Sequence, residues 1–360
     1  MPVAMLFHNA GQSLVRVEVS PRQPQSGEIA VRILCCTLCK SDLQTYCGKR
    51  IEATPAVLGH EAVGRIIEFG PQTVAIDTNG ISARVGDRIS WAVVASCGDC
   101  FNCRHDLPQK CETGYKYGHR ATTLTTADGG GLAERLMLRP GTAWFRVPES
   151  IPDALAAIAN CATATVAAML RTAGAMKQRS LLILGAGTLG LTASAMAAVN
   201  GASAIIVVDP SQAARERALR FGATHVLATT DLHQIHEWTQ GRGVDVAFEL
   251  AGSPSSVESA LKAVRTGGTV VLAGTVSPTP PIPLDAEQFV RRQLTLHGVH
   301  NYHPRDLSTA LDFLAGGGAS YPFASLIAGT FALNEADAAF RFAFDHPGVR
   351  VAVTPTAETP

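Results

Sequence analysis

"SLLILGAGTLG", residues 180–190, runs from a short apolar, β-rich stretch straight into three glycines, Gly185, Gly187 and Gly190, at G-x-G-x-x-G spacing. That pattern alone is weak. Its surroundings make it specific: TLGLTASAMAAVNG (188–201) reads as a helix, and AIIVVD (204–209) as a second strand ending in an acid. Glycines at such a turn let the backbone approach a pyrophosphate, and the helix that opens at Thr188 and Leu189 offers unpaired N–H groups to it. Asp209 stands 19 residues after Gly190, where a carboxylate accepts hydrogen bonds from adenosine ribose hydroxyls and repels a 2′-phosphate. Pro210 and Ser211 put no arginine next to it, so NAD is expected over NADP.

Working outward, SQAARERALRFG (211–222) is a polar helix, and VDVAFELAG (244–252), TVVLAG (269–274) and LTLHGVH (294–300) are further strands with helices between them. Alternating strands and helices predict an α/β fold with a doubly wound parallel sheet, a Rossmann domain over 156–299. Upstream the text differs. EIAVRILC (28–35), HEAVGRIIEF (60–69) and VGDRISW (85–91) are short strands among Gly/Pro punctuation, which predicts a β-rich domain over 1–155. After about residue 300 the α/β regularity is lost, and 300–360 is expected to return to the first domain.

The chain has 360 residues, enough for two cores, with 46% hydrophobic and 17% charged residues and zero formal net charge. That balance excludes a disordered chain and gives no electrostatic reason to expect a nucleic-acid or membrane partner. The start, MPVAMLFHNAGQ, shows no signal peptide, so a cytoplasmic protein is expected. The cysteine count is nine, odd, which in a reducing compartment disfavours a disulfide framework. Four of them, Cys97, Cys100, Cys103 and Cys111, fall inside SCGDCFNCRHDLPQKC (96–111) at C-x2-C-x2-C-x7-C spacing. Four thiolates on one short lobe, about 96–112, can close tetrahedrally around a structural Zn2+ with no open position. An iron–sulfur cluster fits less well, because the ferredoxin run has a different last spacing and a following proline.

Three further segments, CTLCKSDL (36–43), GHEAVG (59–64) and ANCATATV (159–166), join GGLAE (130–134), the four-cysteine lobe and the glycine loop in a fixed order. In that order the chain resembles a zinc-dependent medium-chain alcohol dehydrogenase over essentially its whole length. CTLCKSDLQTY, LPQKCETGYKYGH and NCATATVAA are similar in wording to the phosphonate-catabolism-associated subgroup. The resemblance implies a GroES-like first domain and a catalytic zinc held by Cys39, His60 and Cys161, hence two zincs per chain. It implies that Glu61 sits behind the metal, that Asp42 orients a ligand and that Ser41 passes the substrate proton inward. It implies Lys40, and Arg350 near the C-terminus, as cations against the coenzyme pyrophosphate.

The expected activity is hydride transfer between a small-molecule alcohol/carbonyl pair and NAD(H). Two alternatives stand beside it: a polyol dehydrogenase, which often carries Glu near position 161, and a zinc-free quinone or enoyl reductase on the same fold. A homo-oligomer, dimer or tetramer, is expected through LTLHGVH. Several features depart from the family pattern. Gln44 stands where a relay histidine is common, Arg135 follows GGLAE, and 69–87 is long enough for an extended hairpin. Trp91, Tyr115, Tyr117 and His119 are candidates either for the substrate pocket or for core, and no dense Arg/Lys cluster is visible for a phosphonate. Cys35, Cys36 and Cys47 are expected to be buried as small hydrophobes.

Overall fold

The computed structural model describes residues 1–20, 22–123 and 129–355. The chain divides into two compact units: 1–164, 303–315 and 323–360 form one, and 165–302 with 316–322 form the other.

The first unit is built on a mixed seven-stranded sheet. Its path runs Trp144–Arg146, Arg88–Trp91, Glu61–Phe69, Ile29–Leu38, Arg350–Thr354, Ile327–Ala332, and Arg135–Leu138 also pairs with Ile29–Leu38. A three-stranded sheet of Val15–Glu18, Val3–Phe7 and Ala56–Val57 closes it. Ile33, Leu38, Leu58, Ile66, Ile89, Trp91, Tyr117 and Phe340 belong to one buried cluster. Strand Ile29–Leu38 is the hub: its inward residues alternate near the start, but its last four are all buried, because it is covered on both faces there. The segment 69–87 is a hairpin, pinned at Asp77, whose carboxylate accepts from the backbone of Asn79, Ile81 and Arg146.

The second unit carries a six-stranded, all-parallel sheet in the order His225–Leu227, Ala204–Val208, Ser180–Leu184, Val244–Glu249, Val264–Leu272, Thr295–Gly298. Ser180–Leu184 and Ala204–Val208 are buried throughout, which is why they read as uninterrupted apolar runs.

Two segments fall differently from where sequence places them. Residues 156–164 cluster with the first unit, because helix Asp153–Ile158 packs on Ile29–Leu38 and Glu61–Phe69, and helix Pro304–Ala315 packs on the turn that follows. Residues 316–322 cluster with the second unit, where Tyr321 stacks on Phe221 at 6.5 Å. The helical stretch Asp153–Ala173 is long and apolar enough to cross a bilayer, but 72% of its most apolar window is buried inside the protein, so it is a core element.

At the glycine loop, Gly185 has φ +107°, and a Cβ on Gly190 would lie 1.9 Å from the Gly185 carbonyl oxygen. Helix Thr188–Val199 can therefore approach strand Ser180–Leu184 only with glycine at 190. Gly190→Ala should force the turn apart and destabilise the protein by about 1–3 kcal/mol, the range for overpacking a core. Thermal unfolding without coenzyme should show a Tm several degrees lower; an unchanged Tm would mean the loop relaxes freely.

Candidate active site

Strand Ile29–Leu38 ends at Cys39, which caps helix Lys40–Tyr46. The cap fixes the local geometry: Asp42 Oδ2 accepts from the Cys39 backbone N–H at 2.9 Å. The other oxygen, Oδ1, accepts from His60 Nδ1 at 3.1 Å and from the Gly59 N–H at 3.3 Å. One buried carboxylate thus ties CTLCKSDL to GHE and leaves the Nε2 side of His60 for a ligand. Burial pushes the Asp42 carboxyl up, but His60 more than offsets it and holds the carboxylate ionised.

The third segment arrives by an irregular route. Residues Ala159–Thr163 form a π-helical turn between Asp153–Ile158 and Ala164–Ala173. A wide turn inside a helix re-aims a side chain, and it carries Cys161 to the site. The ligand atoms of Cys39, His60, Glu61 and Cys161 all lie within 4.8 Å of one another. A cysteine in an alanine-rich helix ordinarily reads as packing; nothing local in the sequence marks the π turn.

Arg350 is the largest difference from expectation. Sequence points it at the coenzyme, but it is buried, and its Nε and Nη2 each donate to Glu61 at 2.8 Å, with Nη2 also 3.4 Å from Cys39 Sγ. Thr37 donates to Glu61 Oε2 at 2.6 Å. Burial, with Cys39 adding to it, holds the Glu61 carboxyl above the ordinary range although Arg350 pulls it down. Cys39 is held well below the usual thiol range by hydrogen bonding with Cys161, against its burial, and by Arg350 and His60. Burial lowers His60, but Asp42 and Cys39 overturn that and raise it to about 10. The pocket is built to hold positive charge between a thiolate and a carboxylate. Two thiols and an imidazole suit Zn2+, and three such ligands leave a fourth position open.

The lobe holds the other set. Sγ–Sγ distances are 3.9 Å for Cys97–Cys103, 3.9 Å for Cys100–Cys111 and 3.5 Å for Cys97–Cys111. Four Zn–S bonds of 2.3 Å in a tetrahedron give edges of about 3.8 Å, so the four sulfurs fit one zinc. Backbone N–H groups of Asp99 and Cys100 donate to Cys97 Sγ and bring that thiol down to about 6, toward the thiolate a metal needs.

The remaining candidates separate. Lys40 is exposed at the first position of its helix, and Ser41, next to it, is half-buried with no hydrogen-bond partner for its hydroxyl among the described residues. Asp209 Oδ2 accepts from Ala186 N–H at 2.8 Å and Oδ1 from Ser211 N–H at 2.9 Å, which fixes it beside the glycine loop. Sequence misses Arg215, whose Nη1 donates to the carbonyls of Asp209 and Pro210. Thr188 is buried at the helix start, and Leu189 is half-buried. Trp91 and Tyr117 are core, each 1% exposed; the Tyr117 hydroxyl bonds Thr142 and Arg139. Cys35 and Cys36 are buried, Cys35 raised by burial to about 12, but Cys47 is exposed, contrary to expectation, at the end of its helix.

The family model "Alcohol dehydrogenase GroES-like domain" matches residues 25–149, and "Zinc-binding dehydrogenase" matches 188–316. L-threonine 3-dehydrogenase of Pyrococcus horikoshii is 30% identical over 84% of this chain and 83% of its own length. Sorbitol dehydrogenase of Bacillus subtilis is 29% identical over 87% and 86%. The crystal structure of an alcohol dehydrogenase from Thermotoga maritima superposes with a TM-score of 0.92, at 26% identity, over 98% of this chain and 99% of that one. The chain belongs to the zinc-dependent medium-chain alcohol dehydrogenase family. This dehydrogenase is thus an oxidoreductase with a GroES-like domain and a doubly wound parallel sheet.

Asp42 is where the dehydrogenase's metal geometry can be tested from behind. Asp42→Asn removes the charge that fixes His60 while keeping the shape. Zinc affinity, measured by competition with a chromogenic chelator, should fall about 10–100-fold. An unchanged affinity would show that His60 is oriented by other contacts.

Proposed function

We propose that this chain is an NAD-dependent zinc alcohol dehydrogenase, moving hydride between a small-molecule alcohol/carbonyl pair and NAD(H). Cys39, His60 and Cys161 would hold the catalytic zinc, and Cys97, Cys100, Cys103 and Cys111 a structural one. The observation that carries this reading is the meeting of Cys39, His60 and Cys161 around one point, with Asp42 fixing the imidazole and Arg350 occupying both Glu61 oxygens. When bound, zinc supplies a Lewis acid for the substrate oxygen and a nicotinamide supplies the hydride acceptor.

The chain's own part is to bind, orient and move the proton. Ser41 can both accept the alcohol proton and give it on, because a hydroxyl does both. Gln44 cannot titrate, so it holds a partner in place and does not take the proton. Asp209 supports NAD, its carboxylate being anchored by two backbone N–H groups with lone pairs left for ribose hydroxyls. Lys40, exposed at the helix start, suits a coenzyme phosphate. A homo-oligomer through Thr295–Gly298 is supported by its place at the edge of the parallel sheet, with all four residues exposed. A polyol or amino-alcohol dehydrogenase is the second reading, favoured by relatives named for sorbitol and threonine. A zinc-free reductase would have no use for the three ligands.

The direct test combines metal analysis with turnover. Two zincs per chain and NAD+-linked alcohol oxidation are expected, with kcat/KM for NAD+ at least about tenfold above NADP+, since about 1.4 kcal/mol of like-charge repulsion gives that factor. Asp209→Gly should narrow the ratio. Equal use of both coenzymes by the native protein would remove the NAD assignment.

Ser41→Ala should lower kcat by roughly 10²-fold where chemistry limits the rate, a typical size for positioned proton transfer, and Gln44→Ala should cost much less. An unchanged kcat in Ser41→Ala would show that the proton leaves another way.

A further inference from the structure

Lys116 ends the short strand Tyr115–Lys116, placed opposite Val94 on the neighbouring strand. The chain then turns so that His119 N–H meets the Lys116 carbonyl at 3.3 Å. His119 is buried, and its ring lies 4.9 Å from that of His60. Lys116 therefore stands one turn from a side chain that touches the metal ligands. It is half-buried, yet its ammonium has neither a hydrogen bond nor an ion pair among the described residues. Lysines removed from water are ordinarily paired.

The charges around it do not supply the pair. Burial lowers the ammonium's pKa; Arg50 and Lys110 repel it, while Cys161 and Glu52 attract it. Glu52 is already committed, its Oε1 lying 2.7 Å from Arg50 Nε and 2.9 Å from His119 Nδ1. Cys161 is one of the proposed zinc ligands, and a thiolate bound to Zn2+ has most of its charge neutralised. Arg50 and Lys116 then share one carboxylate, and the surplus is positive.

Resting on the dehydrogenase reading above, we propose that Lys116, backed by Arg50, recognises an oxyanion carried by the substrate, so that the preferred alcohols bear a carboxylate or a phosphorus oxyanion. His119 Nδ1 lies 2.9 Å from Glu52 Oε1. It positions Glu52, which in turn holds Arg50.

The test uses the full, zinc-loaded chain and two matched pairs: 3-hydroxybutanoate with its methyl ester, and 2-hydroxypropylphosphonate with its dimethyl ester. Calorimetric Kd values without coenzyme, and kcat/KM with NAD+, are measured for the native protein, Lys116→Met and Lys116→Arg. At least one anion should bind about tenfold or more tightly than its ester, and whichever anion does so names the source. Lys116→Met should lower that anion-to-ester ratio by about tenfold, and Lys116→Arg should keep most of it. Three results would overturn the proposal. The native protein could show no anion preference. Lys116→Met could weaken anion and ester alike, as it would if the lysine served only as a counter-ion to Cys161. Or NAD+ affinity could fall while the ratio stays. Anion preference that depends on Lys116, found without any NAD-linked turnover, would support the anion site and sink the dehydrogenase reading. Turnover of neutral alcohols with no anion preference would do the reverse.

Discussion

Arg350 spans a sequence separation of 289 residues to Glu61, and both groups are almost entirely removed from water. A buried guanidinium is tolerable only with a carboxylate in good geometry, and removing one partner of such a pair commonly costs about 3–5 kcal/mol because the other is left uncompensated. That requirement fixes more than two side chains. It demands that the last strand, Arg350–Thr354, lie beside Ile29–Leu38, which it does through antiparallel pairing of Val351 with Leu38 and Ala352 with Thr37. Thr37 in turn reaches Glu61 from the same strand that delivers Cys39. The C-terminal return of the chain is thereby a condition of the site, since without it Glu61 would face two sulfurs with no cation behind it.

The same pair bears on how many ligands the proposed metal centre would offer. Glu61 sits among Cys39, His60 and Cys161, so proximity alone would allow four. Its two oxygens, however, accept three hydrogen bonds from Arg350 and Thr37. To become a ligand, Glu61 would have to give up charge-assisted bonds inside a dry core, which is costly. Three ligands and an open fourth position are the arrangement the hydrogen bonding favours. The lobe is the opposite case: four cysteine sulfurs in one short loop would leave no opening, and backbone N–H groups supply polarity at Cys97.

How much could be read from the sequence follows from where each interaction sits along the chain. The parallel sheet was legible because strands buried on both faces are continuous apolar runs, as Ser180–Leu184 and Ala204–Val208 are. The lobe was legible because all four cysteines fall between 97 and 111. The proposed catalytic set was not, as physics alone: positions 39, 60, 161 and 350 are distant, and only resemblance gathered the first three. Cys161 depends on a π turn, which has no local sequence signal, and Arg350 gives no sign of burial in the run GVRVAV. The domain junction shifted for a similar reason, because the alanine-rich periodicity from 153 onward says "helix" but not which sheet the helix covers.

Lys116 belongs to this last group, and it shows how charge bookkeeping changes once the fold is known. In the sequence, Arg50, Glu52, Lys110, Lys116 and His119 are scattered over seventy positions, and no cationic cluster is apparent. In the structure Arg50, Lys110 and Glu52 all act on the Lys116 ammonium, and the Glu52 carboxylate is shared by an arginine and a histidine. Nearer the ligand set, Arg350 is matched by Glu61, and Asp42 by His60. Those two pairs are balanced internally, whereas Lys116 has no ion pair among the described residues. A cation that faces the substrate, as proposed for Lys116, would discriminate among alcohols by what else they carry, because the hydroxyl is common to all of them. On that proposal, selectivity would rest on Lys116 and Arg50, which lie outside the ligand set and the glycine loop.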